Sequence, residues 1–182
     1  PTDIDGAYLV VPRKIGDDRG FFARAWCTHE YEAAGLKATI VQSNMAVSAQ
    51  KGTLRGLHYQ AAPHEEVKIV RCVRGAMFDV IVDLRPSSPT YLKWVGYRLD
   101  TQNHHALYVP EGCATGYMTL EDDTEMYYHA TAAYAPDSAT GVRWDDPAFG
   151  IEWPMAPAVL SDQDQVWPYI EPRIRISSSR TT

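Results

Sequence analysis

His58 stands in Leu54-Arg55-Gly56-Leu57-His58-Tyr59-Gln60, a run whose residue types could do chemistry. Histidine is the side-chain type that titrates nearest neutral pH, so it can take or give a proton there. Arg55 offers a planar fork for phosphate. Strict alternation places Leu54, Gly56, His58 and Gln60 on one face and Arg55, Leu57 and Tyr59 on the other. A base, a cation and flanking aromatics on one short strand suit a site in a barrel mouth. They equally suit a core strand with a satisfied histidine, and the run alone does not decide.

Three further positions carry comparable pairs of readings. Lys68, in Val67–Val73, shares a face with Val70 and Cys72; it is a site cation or an edge lysine with its stem on apolar surface. Arg19, beside Phe21-Phe22, could clamp phosphate while a ring stacks a base, or be a salt-bridged loop arginine. Tyr134 ends a strand just before Ala135-Pro136. A phenol there can return a proton that a base on the other face removes, which is what inversion at carbon requires. It is also one of eleven tyrosines.

Metal chemistry fits poorly. The pair that would open a metal-binding barrel is His58-x-Gln60, and the later strand carries Thr115 where a second ligand belongs. His104-His105 sit in a polar turn, and His29, His64 and His129 have unrelated settings. Cys27, Cys72 and Cys113 are odd in number and widely spaced, which points to reduced thiols rather than a disulfide framework or a zinc site.

The elements that must position these residues are mostly strands. The patterning predicts strands over Gly6–Pro12, Thr39–Ser48, Thr53–Gln60, Val67–Val73, Ala76–Asp83, Trp94–Leu99, Ala106–Val109, Gly116–Leu120 and Thr124–Ala130, with loops over Lys14–Gly20 and Arg85–Thr90. One helix is expected over Thr28–Leu36, capped by Thr28, ended by Gly35 and packed on the outside. Trp144–Trp153 and Pro154–Pro168 read as irregular cover, and Ser177–Thr182 as a frayed tail. The sum is a single all-β domain, 1–182, built as a jelly-roll type sandwich or barrel.

The 182 residues carry a net charge of -6, which argues against general nucleic-acid binding and leaves room for a local basic pocket. No apolar run approaches membrane-spanning length, and no leader-like stretch opens the sequence, so a cytoplasmic protein off the membrane is expected.

Taken in order, several segments resemble the dTDP-4-dehydrorhamnose 3,5-epimerase family of cupin-like nucleotide-sugar epimerases. They are Gly16-Asp17-Asp18-Arg19-Gly20-Phe21-Phe22, Gln42-Ser43-Asn44, the 54–60 run, Lys68-Ile69-Val70-Arg71, Phe78-Asp79-Val80-Ile81-Val82-Asp83-Leu84-Arg85, Ser88-Pro89-Thr90, Pro110-Glu111-Gly112, Tyr134-Ala135-Pro136 and Gly150-Ile151-Glu152-Trp153-Pro154. The resemblance implies a cupin-type jelly roll with a short helix and an irregular C-terminal segment. It implies an isomerase that uses no metal or redox cofactor and inverts C3, C5 or both in a nucleotide-linked 4-keto-6-deoxy sugar. His58 would be the base, oriented by Asp164, with Asp162 as the fallback; Tyr134 would be the acid. Lys68 would stabilise the enolate oxygen. Arg19 and Arg55 would hold the diphosphate, and Gln42, Asn44 and Phe22 would lie near the nucleotide, with Gln60 and Thr115 also binding substrate. The partner would be a nucleotide-diphosphate sugar. The chain would work as a homodimer whose N-terminal strand and loop complete the neighbouring site.

Three positions depart from the family pattern. Thr115 replaces the usual histidine of the Gly-x-x-His-Gly turn, Arg24 replaces an acidic residue after the Phe pair, and Ser43 replaces an aspartate. These departures raise the expectation of a related 4-keto sugar or of inversion at a single carbon. Two other readings share the motifs: a 3,4-keto-isomerase of similar fold, and a sugar-nucleotide binding cupin without activity.

Overall fold

Alternating strands bury one face each, and here they do so against one another. The computed structural model describes residues 1–170; the expected tail, Ser177–Thr182, lies outside them. The strands are β1 (Tyr8–Val10), β2 (Ile15–Asp17), β3 (Gly20–Phe22), β4 (Gln42–Ser48), β5 (Leu54–Gln60), β6 (Lys68–Arg74), β7 (Ala76–Asp83), β8 (Trp94–Asp100), β9 (Ala106–Val109), β10 (Cys113–Thr119), β11 (Thr124–Ala130) and β12 (Ala139–Gly141). They form two five-stranded antiparallel sheets, ordered β1-β9-β6-β11-β4 and β12-β5-β10-β7-β8, plus the small β2-β3 hairpin. This is the expected all-β, cupin-type jelly roll.

The core sits between the two sheets. Val70 and Cys72 of β6 and Leu107 and Val109 of β9 meet Met77 and Ile81 of β7, Leu99 of β8 and Tyr117 of β10. Full burial of each such aliphatic side chain contributes about 1.5–3 kcal/mol. The back of the first sheet is covered by helix α1 (Thr28–Ala33), whose Tyr31 packs with Ile69, Ala106 and Tyr108. The back of the second sheet carries Leu57, Val80, Val82 and Ala114 against Phe149, Trp153 and Ile151 of the C-terminal segment.

Several local expectations are corrected. Cys27, not Thr28, occupies the N-cap, and it offers no side-chain cap hydrogen bond; the helix ends at Ala33, just before Gly35 with φ of 73°. The Lys14–Gly20 loop contains most of the β2-β3 hairpin, in which Ile15 pairs with Phe22 and Asp17 with Gly20. The stretch read as irregular holds a second helix, α2 (Asp162–Val166). Its N-cap, Ser161, accepts a hydrogen bond from the Asp164 N–H at 3.1 Å, which satisfies one orphan donor of the first turn.

Candidate active site

A cavity of about 660 Å³ opens between the sheets, and its walls include Asn44, Arg55, His58, Lys68, Asp79, Thr115, Tyr117, Tyr128 and Asp164. Its shape begins with two glycines. Gly56 has φ of 127°, and a Cβ on it would stand 2.5 Å from Gly116 Cα. Between Arg55 and His58, β5 takes three residue steps while β10 takes two, from Tyr117 to Thr115. This β-bulge changes which way the following side chains point. Arg55 and His58 therefore line the same cavity, which corrects the strict alternation that set them on opposite faces. Arg55 donates to Ser48 Oγ at 3.2 Å and to the Val47 carbonyl at 3.3 Å.

His58 is reached from outside the sheets. Val159 forms a bridge with Thr53, and Leu54 N–H donates to the Val159 carbonyl at 3.0 Å. The chain then turns into α2, which delivers Asp164 so that its Oδ1 lies 2.6 Å from His58 Nε2. Trp167 Nε1 donates to the same oxygen at 3.2 Å, and its ring stands edge-on to the imidazole at 6.2 Å. Trp167 fits because Gly141, opposite His58, has no side chain; a Cβ there would be 2.6 Å from the indole. Burial pushes the Asp164 carboxyl up, but hydrogen bonds from His58 and Ser161, a charge on His58 and the Gly56 N–H outweigh it and leave it below the ordinary carboxylate range. A carboxylate only accepts. In the neutral ring His58 Nε2 therefore carries the proton, and Nδ1 is the nitrogen with a free lone pair.

Opposite this pair, Lys68 and Asn44 come from the other sheet. Lys68 leads β6 into the cavity rather than lying at an edge; its side chain is 14% exposed and its Nζ lies 3.2 Å from Glu66 Oε1. Gln42 lies off the cavity and braces it. Its Nε2 donates to Asn44 Oδ1 at 3.1 Å, and its Oε1 accepts from the Tyr134 N–H at 3.0 Å. Asn44 Nδ2 and Asp79 Oδ2 are both buried and without a hydrogen-bond partner among the described residues. Thr115 also lines the cavity, with its hydroxyl turned toward Asp79.

Gln60 is corrected from a binding residue to a scaffold residue. It is buried off the cavity, and its amide is taken by two loops: Nε2 donates to the carbonyl of His64, just after β5, at 2.8 Å and to that of Ala133, after β11, at 3.3 Å, and Oε1 accepts from Ala135 N–H at 2.7 Å. Gln42 and Gln60 thus fix the backbone on both sides of Tyr134. The Tyr134 side chain itself is 62% exposed and does not line the cavity within one chain. Arg19 and Phe22 stand on the β2-β3 hairpin, also away from the cavity; Arg19 pairs with Asp17 and is open to solvent.

Sequence reasoning missed Trp167, Ser161, Glu66 and the role of Asp79 as a wall. Ser161-x-x-Asp164 is a capping-box pattern that could have marked α2. Nothing in Phe78-Asp79-Val80 separates a buried carboxyl from one that points outward.

The family model for dTDP-4-dehydrorhamnose 3,5-epimerase matches residues 1–171. The chain is 47% identical over 161 residues to a dTDP-4-dehydrorhamnose 3,5-epimerase of Sinorhizobium fredii, spanning 88% of this chain and 83% of that one. It is 38% identical over 166 residues to the dTDP-4-dehydrorhamnose 3-epimerase of Streptomyces niveus, spanning 91% and 80%. Among solved structures, the 3,5-epimerase of Bacillus anthracis, with TDP and PPi bound, superposes with a TM-score of 0.90 at 41% identity, over 93% of this chain and 97% of that one. The family match runs through the strands that build the cavity and through the segment that carries Asp164, and with these relatives beside it the protein belongs to the dTDP-4-dehydrorhamnose 3,5-epimerase family.

Proposed function

We propose that the protein epimerises a nucleotide-linked 4-keto-6-deoxy sugar of the dTDP-4-dehydro-6-deoxy-D-glucose type. The observation that carries this reading is the 2.6 Å pair of His58 and Asp164 at a cavity whose far wall holds Lys68. The ketone acidifies the hydrogens on C3 and C5. His58 Nδ1 takes one of them, the C–H electron pair moves to the C4 oxygen, and Lys68 Nζ stabilises the charge. A proton returned from the opposite face inverts the carbon. In this reading Tyr134 supplies it, from a loop pinned at the rim by Gln42 and Gln60. Arg55 takes the diphosphate with Asn44 beyond it, and neither redox nor metal chemistry is called upon.

The exposed hairpin completes the picture as a homodimer. Ile15 and Phe22 are each more than 60% exposed, as is Met45 on the edge strand β4. Apolar side chains so placed on a hairpin and a sheet edge suit a second copy of the chain, which would receive Arg19 and Phe22 near its own cavity. Sedimentation at assay concentration should give a dimer, and a monomer that retains full activity would remove the shared-site reading. Free thiols at Cys27, Cys72 and Cys113 suit a reducing cytoplasm, with burial pushing Cys72 up to about 11 and Cys113 to about 12.

The test is incubation with dTDP-4-keto-6-deoxyglucose in D2O, with NMR at C3 and C5. Deuterium at both carbons is the expected result for a double epimerase. Deuterium at one carbon would mark a single-site enzyme, the second reading that Thr115 favours. Neither, with the nucleotide still bound, would identify a binding protein and overturn the proposal.

A further inference from the structure

Asp79 is a carboxyl in the wall of the cavity to which the reading above gives no work. It lies in the middle of β7, opposite Tyr117 of β10 and Tyr97 of β8, and it is 1% exposed. A carboxylate so placed normally has a cation beside it. Here no lysine, arginine or histidine among the described residues lies within ion-pair distance of it. The nearest candidates are committed elsewhere, Lys68 to Glu66 at 3.2 Å and Arg55 to Ser48 and Val47.

The protons around Thr115 add a second constraint. Thr115 Oγ1 lies 2.9 Å from Asp79 Oδ1 and 2.9 Å from the Val80 carbonyl oxygen. A hydroxyl has one proton and a carbonyl has none. If that proton goes to Val80, the short contact with Asp79 is a hydrogen bond only when Asp79 carries a proton of its own. If it goes to an ionised Asp79, the Thr115 and Val80 oxygens face each other at 2.9 Å with no hydrogen between them. Every contact is satisfied when Asp79 is the neutral acid. Its other oxygen, Oδ2, is buried without a hydrogen-bond partner among the described residues, in a residue that lines the cavity.

We propose that Asp79 is held as a neutral carboxylic acid and donates a hydrogen bond from Oδ2 to the substrate oxygen that gains charge when His58 removes a proton. The proposal rests on the epimerase reading above. It needs no additional proton. With the cavity empty, Asp79 donates through Oδ1 to Thr115, and Thr115 donates to Val80. With a keto sugar bound, the acid proton sits on Oδ2 and the Thr115 hydroxyl turns to Oδ1, giving up its bond to Val80; the hydrogen bond gained by the charged substrate oxygen outweighs that loss. No bond to Asp79 is made or lost beyond this exchange of position. The carbon's proton goes to His58, its electron pair goes to the ketone oxygen, and Asp79 and Lys68 together stabilise that oxygen. An ionised Asp79 would do the reverse, repelling the enolate. A neutral acid in an apolar wall is a known way to stabilise such charge. The burial of the group is consistent with this, since it pushes the carboxyl up to about 7 against hydrogen bonds from Thr115 and Val80 and the charge of Lys68.

The first test needs no substrate. Infrared difference spectra of the wild-type protein against Asp79→Asn, at pH 6, should show a protonated-carboxyl C=O band that shifts in D2O; a carboxylate band in its place would overturn the proposal. The second is kinetic. Asp79→Asn keeps a donor in nearly the same shape and should hold kcat within about tenfold, whereas Asp79→Ala should lower kcat by about 10²–10³ with KM little changed, the effect of removing one oxyanion donor. Full activity in Asp79→Ala, or a loss in Asp79→Asn as deep as in Asp79→Ala, would overturn the donor role. If the wild-type protein exchanges no deuterium into a nucleotide-linked 4-keto sugar, the epimerase reading fails and takes the donor role with it. The infrared band would still decide separately whether Asp79 is protonated.

Discussion

Replacing His58 with Asn is expected to lower deuterium exchange at the sugar by about 10⁴-fold, the upper end of what a positioned base contributes, while nucleotide affinity changes little. The reason is local. Arg55 and Asn44, assigned to the nucleotide side, reach the cavity from β5 and β4 without touching the imidazole. An amide at position 58 can still lie near Asp164 and fill much of the imidazole's space, but it has no nitrogen able to take a proton near neutral pH. Exchange measured by NMR, alongside calorimetric titration of the nucleotide, separates the two effects. A variant with wild-type exchange would remove His58 as the base.

Asp164→Asn is expected to cost nearly as much, about 10³–10⁴-fold, with the protein folded and the cavity intact. The wild-type carboxylate sits among donors: His58 Nε2 at 2.6 Å, Trp167 Nε1 at 3.2 Å and the Gly56 backbone N–H. An asparagine brings two N–H groups into that ring of donors. In one orientation they oppose the Gly56 amide. In the other they oppose Trp167 and His58, and the proton is driven to His58 Nδ1, the atom that must be free. Loss of the correct tautomer in a comparable His–Asp pair costs about 10⁴. A kcat within tenfold of wild type would mean that Trp167 and the strand, rather than the carboxylate, set the ring.

Much of this arrangement could be read from the chain. Ala76–Asp83, Ala106–Val109 and Thr124–Ala130 run between the residues that their turn signals marked, because each apolar run is bounded on both sides by turn formers. Lys68 was placed on the same face as Val70, and both line the cavity. The failures have physical causes. One extra residue in β5 inverted the facing of Arg55 relative to His58, and alternation cannot count a bulge that only Gly56 hints at. Gln60 looked available because it stood two residues from His58; its amide was already taken by His64 and by a loop more than seventy residues away in sequence. Five residues are too few to give α2 a helical period against a background of proline and tryptophan. Asp79 reads as one polar letter in an apolar strand, and its proton is settled by Thr115 and Val80, which only the paired strands bring together.

Asp164 is separated from His58 by 106 positions in sequence, and it arrives on a segment that contributes no strand to either sheet beyond a single bridge at Val159. Building the barrel and acquiring reactivity are therefore different events. A chain whose sheets have closed but whose final stretch has not docked would already hold the cations and the imidazole, in a cleft still lacking the wall that Val159, Leu160, Ser161, Gln163 and Asp164 supply. It would lack the anion that tells the imidazole which nitrogen to leave bare. Synthesis delivers that anion after every strand among the described residues, so shape precedes chemistry there, and a single cut just beyond Trp153 returns the protein to that earlier state without removing a strand from either sheet.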